Sequence, residues 1–274
     1  MKAEGSDFQR HYTVFGRTTA HVHTALRQLV ARYRADRTAR VIIVGLALVN
    51  LTIIFLHMLN YVLNYFDFEH EYEFLRQHYF NLSRERGYAE IFNYLQATVC
   101  AALLFGAFVA RGQRVHAAWA LVFAFVVMDD AFSIHERIGR YLRTTFAPPT
   151  PPGLRPQDTI ELVVWGAAGA FLLPVLAWGF RNSSPEAVGF GGVFALTFAL
   201  LVFFGAGVDM LHGAFGTVWP DAYLLFMVVE DGGEMLAVAL ACAVALLIYR
   251  RSTAAPDAGV ERRAEISNRG TTQR

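Results

Sequence analysis

Six stretches of the chain stay apolar long enough to cross a bilayer: residues 41–66, 91–110, 115 to about 133, 162–180, 187 to about 212, and 222–249. A hydrocarbon core takes about 20 such residues per helical crossing. The third, fifth and sixth stretches reach that length only with Asp129, Asp130, Asp209, Glu230, Asp231 and Glu234 inside them. The pattern predicts an all-α polytopic membrane protein, a bundle of six transmembrane helices over residues 41–250. A basic segment precedes it at 1–40, and a polar tail at 251–274 reads as disordered. In 22–34, Leu26, Leu29, Val30 and Tyr33 recur at helical spacing among Arg27, Arg32 and Arg34. That is the pattern of a helix lying on the membrane surface, or else of a solvated basic arm. Residues 67–90 are aromatic and acidic and read as an interfacial helix. Residues 147–157 hold five of the nine prolines and read as a non-helical loop, and Pro174 marks a kink in the fourth span.

Composition agrees with this class, at 55% apolar and 17% charged residues. The formal net charge of +1 is uninformative, but its distribution is not. Residues 1–40 carry eight Lys or Arg against three Asp or Glu, and the tail opens with Arg250 and Arg251. Segment 67–90 carries six acids against three arginines. The positive-inside rule then places both termini and the 111–114 turn in the cytoplasm of a multi-pass inner-membrane protein. Arg137, Arg140, Arg143 and Arg155 on the other side go against the rule without changing the parity. The first apolar run begins too far along and is too long for a signal peptide. Cys100 and Cys242 fall inside helices and do not read as a disulfide. The lipid bilayer is the evident partner, nothing points to nucleic acid, and oligomeric state is not encoded legibly.

The polar residues inside the spans all fall toward one leaflet. With alternating helix direction, His57, Asn60 and Asn64 come late in the first span, and Glu90, Asn93 and Gln96 early in the second. Asp129, Asp130, His135 and Glu136 come late in the third, and Asp158 and Glu161 early in the fourth. Asp209 and His212 come late in the fifth, and Glu230, Asp231 and Glu234 early in the sixth. Residues three, four or seven apart share a helix face. A continuous third helix therefore aligns Asp129 with Glu136 and turns Asp130 away, toward water or an arginine. Asp209 aligns with His212, Glu230 with Glu234, and Asn50, His57 and Asn64 form a stripe. Near span ends a charge is cheap, so Glu90, Asp158 and Glu161 read as headgroup residues. The asparagines read as interhelical hydrogen bonds. Deeper ionisable groups cost several kcal/mol unless paired, and usually mark function.

Carboxylates so crowded cannot all stay ionised without added positive charge or protons. A divalent metal supplies that charge, and two histidines with several carboxylates suit Zn, Fe or Mn. The candidate ligands are Asp129, His135, Asp209, His212 and Glu230. Glu234, Glu230 and Glu136 are candidate catalytic acid–base groups beside a metal-bound water. Asp209-x-x-His212 offers an oxygen and a nitrogen on one face, as Glu-x-x-His does in di-iron bundles.

The layout resembles in part the membrane hydrolases of the alkaline ceramidase and adiponectin-receptor kind, which hold zinc with Asp and His on several spans. Where those have paired histidines on the last helix, this chain has Glu230-x-x-x-Glu234. The run Asp129-Asp130-Ala131-Phe132-Ser133-Ile134-His135-Glu136, with the later Glu230-Asp231-Gly232-Gly233-Glu234-Met235, resembles uncharacterised bacterial six-helix membrane proteins over most of residues 60–240. That resemblance implies the layout and no reaction. Three readings stand: a metal-dependent enzyme, by hydrolysis or oxidation, on a lipid or other apolar substrate; a proton-coupled transporter or channel; and a membrane scaffold. A conduit calls for polar positions through both halves of the membrane. The halves at 194–204, 236–248 and 101–110 are almost purely apolar.

Overall fold

The structure, a computed structural model, describes the backbone of residues 4–65, 78–84, 86–146, 155–215, 219 and 222–254. It describes their side chains except at 4–18, 65, 78, 158, 215 and 223. The described residues are helical with short connections. The elements are α1 (Glu4–Ala35), α2 (Arg37–Tyr65), α3 (Tyr88–Arg111), α4 (Arg114–Phe132), α5 (Ile134–Phe146), α6 (Pro156–Arg181), α7 (Pro185–Val202), α8 (Asp209–Phe215) and α9 (Tyr223–Thr253). A π-helical segment, Phe203–Val208, joins α7 to α8. Among the described residues six helices are long and apolar enough to span a membrane, the fifth formed by α7, the π segment and α8. The six-helix membrane bundle expected from the pattern is present.

The helix ends follow local chemistry. Gly112 closes α3 in the left-handed conformation, its N–H bonded to the Phe108 carbonyl. Ser184 caps α7, accepting the Ala187 N–H, with Pro185 at the first position. Pro156 opens α6, so the helix begins inside the stretch expected to be loop, because a proline at N1 loses no hydrogen bond. Pro174 lies inside α6, which runs through it. Residues 78–80 form only one tight turn where an interfacial helix was expected. Residues 67–77 and 85 of that expectation, the loop at 147–154 and the tail from 255 lie outside the described residues.

α9 is the central helix: 72% of its most apolar window is buried inside the protein, against 11% for α2. It buries Ala237, Ala241 and Ala245, and small side chains let neighbouring backbones approach where no hydrophobic effect drives association. In the half of the bundle away from the polar residues, Trp119 and Phe123 of α4 pack tilted or edge-on against Phe194 and Phe198 of α7. The free thiols Cys100 and Cys242 lie in the same core. His116 is also buried there, and neither ring nitrogen has a hydrogen-bond partner among the described residues.

The basic end is tied by its own charges. Arg32 donates to the Arg250 carbonyl at 2.8 Å. Arg250 pairs with Asp36 at 2.5 Å, and Asp36 accepts the Ala39 N–H at 3.0 Å to start α2. The Arg250 guanidinium and that N–H hold the Asp36 carboxyl below its ordinary range. Arg251 pairs with Glu186. α1 is helical and seats on α7: a Cβ at Gly189 would stand 2.6 Å from the His21 carbonyl, and one at Gly192 would stand 2.5 Å from Val22.

Candidate functional site

At the other end of the bundle a cavity of about 350 Å³ opens between α3, α4, α5, α6, the π segment, α8 and α9. Eight carboxylate residues line it: Glu90, Asp130, Glu136, Glu161, Asp209, Glu230, Asp231 and Glu234. Against them the lining holds Arg84 and His135. The acidic layer expected from the spans is therefore one site. Its geometry differs from a set of aligned helix faces.

The first difference lies between α4 and α5. Ser133 adopts a left-handed conformation, φ 46°, and breaks the helix. The seven-residue alignment of Asp129 with Glu136 is lost with it. Instead Asp129, 2% exposed, folds over the new helix start. One of its oxygens accepts the His135 N–H at 3.0 Å, and the other meets His135 Nδ1 at 2.7 Å. A carboxylate at a helix N-terminus satisfies donors left orphaned there. Here it also orients an imidazole. With Nδ1 engaged, Nε2 is the ring nitrogen left to a ligand. Burial disfavours the imidazolium, but the hydrogen bond and charge of Asp129 outweigh it and raise His135 above its ordinary value. Trp165 packs beside the ring at 5.6 Å.

The second difference concerns Asp130. It lines the cavity instead of facing away, and Asp129, Asp130 and His135 each bring one ligand atom within 4.8 Å of the others. The same break at Ser133 returns His135 to Asp130's side. Tyr94 of α3 holds this corner, its hydroxyl contacting Glu90 and the Asp130 carbonyl.

On the opposite wall, His212 Nδ1 meets Glu230 Oε2 at 2.9 Å, with Phe226 stacked on the ring at 5.5 Å. Glu230 lines the cavity and His212 stands behind it. Asp209 lines the cavity and is paired with Arg155 at 2.7 Å. Ser83, in the segment before α3, donates to Asp231. Glu234 lies against the π segment: a Cβ at Gly205 would collide with its Oε1. A π turn widens the helix by one residue and recurs at functional sites. Here it presents Gly205 where the carboxylate needs room.

Of the candidate residues, His135, Glu136, Asp209, Glu230 and Glu234 line the cavity, while Asp129 and His212 hold the imidazole–carboxylate pairs from behind. Glu90 and Glu161, read as headgroup residues, belong to the cavity. Glu90 is fixed by Tyr94 and the Arg86 N–H, and Glu161 by Gln157 at 2.7 Å. Position near a span end gave no sign of this. Asp158's side chain is outside the described residues. His57 accepts the Leu82 N–H at 3.2 Å, a scaffolding role. Asn50 does bridge helices, exchanging hydrogen bonds with Gln96 at 3.0 and 3.2 Å, and Asn64 donates to the Asn60 carbonyl at 2.8 Å. Tyr94, Trp165, Ser83 and Gly205 had no distinguishing mark in the sequence.

Fold and site together define a multi-pass membrane protein with an acidic, histidine-bearing cavity set into one end of its bundle. Within that class the chain belongs to the family described as Domain of unknown function (DUF8692), matched over residues 41–248. No curated protein and no solved structure matches it.

Proposed function

We propose that the cavity binds a divalent cation, Zn, Fe or Mn, and that the protein is a metal-dependent membrane enzyme acting on a lipid or other apolar substrate. The observation that carries this reading is the Asp129–His135 pair beside Asp130. A histidine whose second nitrogen is held by a carboxylate is the usual form of a metal-ligating imidazole. His135 and Asp130 would be ligands, joined by Glu230 or Asp209 across the cavity. Glu234 or Glu136 would take a proton from a bound water, the balanced step being hydrolysis of an ester or amide. Likeness to membrane hydrolases of the alkaline ceramidase and adiponectin-receptor kind points the same way. The aromatic packing of Trp119, Phe123, Phe194 and Phe198 beyond the cavity favours a one-sided site over a conduit. We further place the chain in a bacterial inner membrane, termini cytoplasmic and cavity outward, on the charge distribution.

The test is elemental analysis of the purified protein together with titration by Zn and Mn. Bound metal should approach one equivalent. It should fall in His135→Ala and Glu230→Gln, and a chelator should lower the wild-type melting temperature. Because the cation competes with a proton on His135, affinity should weaken as pH falls through that raised value. If the wild type carries and binds no metal while Glu234→Gln melts higher, relief of like-charge repulsion is the better account and the carboxylates form a proton relay.

A further inference from the structure

Eight of the arginines at the end away from the cavity fall into two groups, apart from Arg114, which lies over the Trp178 ring, and the exposed Arg181 at the end of α6. Arg32, Arg111, Arg250 and Arg251 are used within the protein, on carbonyls or carboxylates of neighbouring helices. Arg27, Arg34, Arg37 and Arg40 are exposed, and their side chains make no hydrogen bond or ion pair among the described residues. Their surroundings set their depth. On α2, Arg37 and Arg40 share a face with Val41, Val44 and Leu48, which are 64%, 44% and 58% exposed at the start of a span. That face meets acyl chains, so the two arginines lie one turn back from it, at headgroup level. α1 is held at the same level. Its His21 and Val22 touch Gly189 and Gly192 in the first two turns of α7, and Ala25 and Leu29 are buried. Beside that buried face, Leu26 and Val30 are 40% and 48% exposed, and Arg27 and Arg34, seven apart on one stripe, border them. An apolar strip edged by arginines, fixed at interfacial depth, is the form of a helix that lies in the headgroup layer. Guanidinium groups there meet phosphodiesters in bidentate pairs.

We propose that Arg27, Arg34, Arg37 and Arg40, with Leu26 and Val30, form a binding surface for acidic phospholipids at the end of the bundle opposite the cavity. The occupant is the lipid surface itself, because the arginines continue a face that already contacts acyl chains. Free inorganic phosphate would satisfy the arginines and leave Leu26 and Val30 without a partner. Juxtamembrane arginines are drawn to anionic leaflets over about a Debye length.

The experiment compares the full chain in nanodiscs of phosphatidylcholine alone and of phosphatidylcholine mixed with phosphatidylglycerol, read by amide hydrogen exchange over residues 22–40. Exchange should slow several-fold in the acidic discs, and the slowing should shrink in high salt. The variant Arg27→Glu/Arg34→Glu, at exposed positions, should lose the difference between the discs, and Arg27→Lys/Arg34→Lys should keep most of it. Equal exchange in both discs would overturn the proposal, as would slowing that survives in the glutamate variant. Slowing reproduced in phosphatidylcholine discs by inorganic phosphate would assign the arginines to a free anion and also overturn it.

Discussion

Asp129, behind the cavity, and Gly205, in its wall, show how single positions shape the site without acting as ligands. Asp129 spends both oxygens on His135. Asp129→Asn should keep the fold and lower metal affinity about 10- to 100-fold, the usual loss when a partner behind a ligating histidine is removed. His135→Ala should lose more. Calorimetric titration separates the two, and an Asp129→Asn protein with unchanged affinity would remove Asp129 from the site. Gly205 and Gly233 give a matched contrast. A methyl at Gly205 meets only the movable end of Glu234, whereas one at Gly233 meets the ring of Phe204. Gly205→Ala should therefore melt within the range of a neutral surface change yet bind metal several-fold more weakly. Gly233→Ala should lose about 1–3 kcal/mol, the usual cost of overpacking. Equal melting of the two variants would contradict this packing.

At the scale of elements, two junctions control geometry. The break at Ser133 lets α4 end and α5 leave in a new direction. A left-handed residue with a side chain costs about 1–2 kcal/mol, and glycine relieves it. Ser133→Gly should raise or preserve the melting temperature, while the β-branched Ser133→Val should lower it. If both variants melt alike, the break is not held at Ser133. The other junction is Asp36, between α1 and α2. Its carboxyl is lowered, so its contribution is complete above the ordinary aspartate range and fades as pH falls through the lowered value. The melting difference between wild type and Asp36→Asn should be present at neutral pH and vanish in strong acid. Because asparagine keeps an oxygen for the Ala39 N–H, a difference independent of pH would mean that the charge of Asp36 is not what stabilises this junction.

For the whole molecule, the six spans among the described residues are an even number, so under the proposed topology α1 and the end of α9 share one side and the cavity opens on the other. The proposed insertion puts the basic termini in the cytoplasm. A reporter active only outside the cytoplasm should be active when fused at Gly213 and silent at Gly112. The reverse pattern would invert the bundle, and activity at both sites would contradict an even number of crossings. The cavity and the arginine surface then serve opposite leaflets, since they lie at opposite ends of helices that α9 and its buried alanines hold together.

Depth along the membrane normal was written in the sequence. Hydropathy and charge are properties of position along the chain, and the bilayer converts them directly into height, so the six spans and the common level of the acidic residues followed without coordinates. Facing was not written there. Periodicity yields azimuth only while a helix stays regular, and two irregular turns lie inside the site itself. The left-handed Ser133 separates Asp129 from Glu136 and brings His135 back to Asp130. The π turn at Phe203–Val208 shifts the phase of everything after it and opens the space that Glu234 fills. Which carboxylates line the cavity, which stand behind the histidines, and which apparent headgroup acids turn inward depended on those turns and on helix packing, so only the tertiary structure decided them.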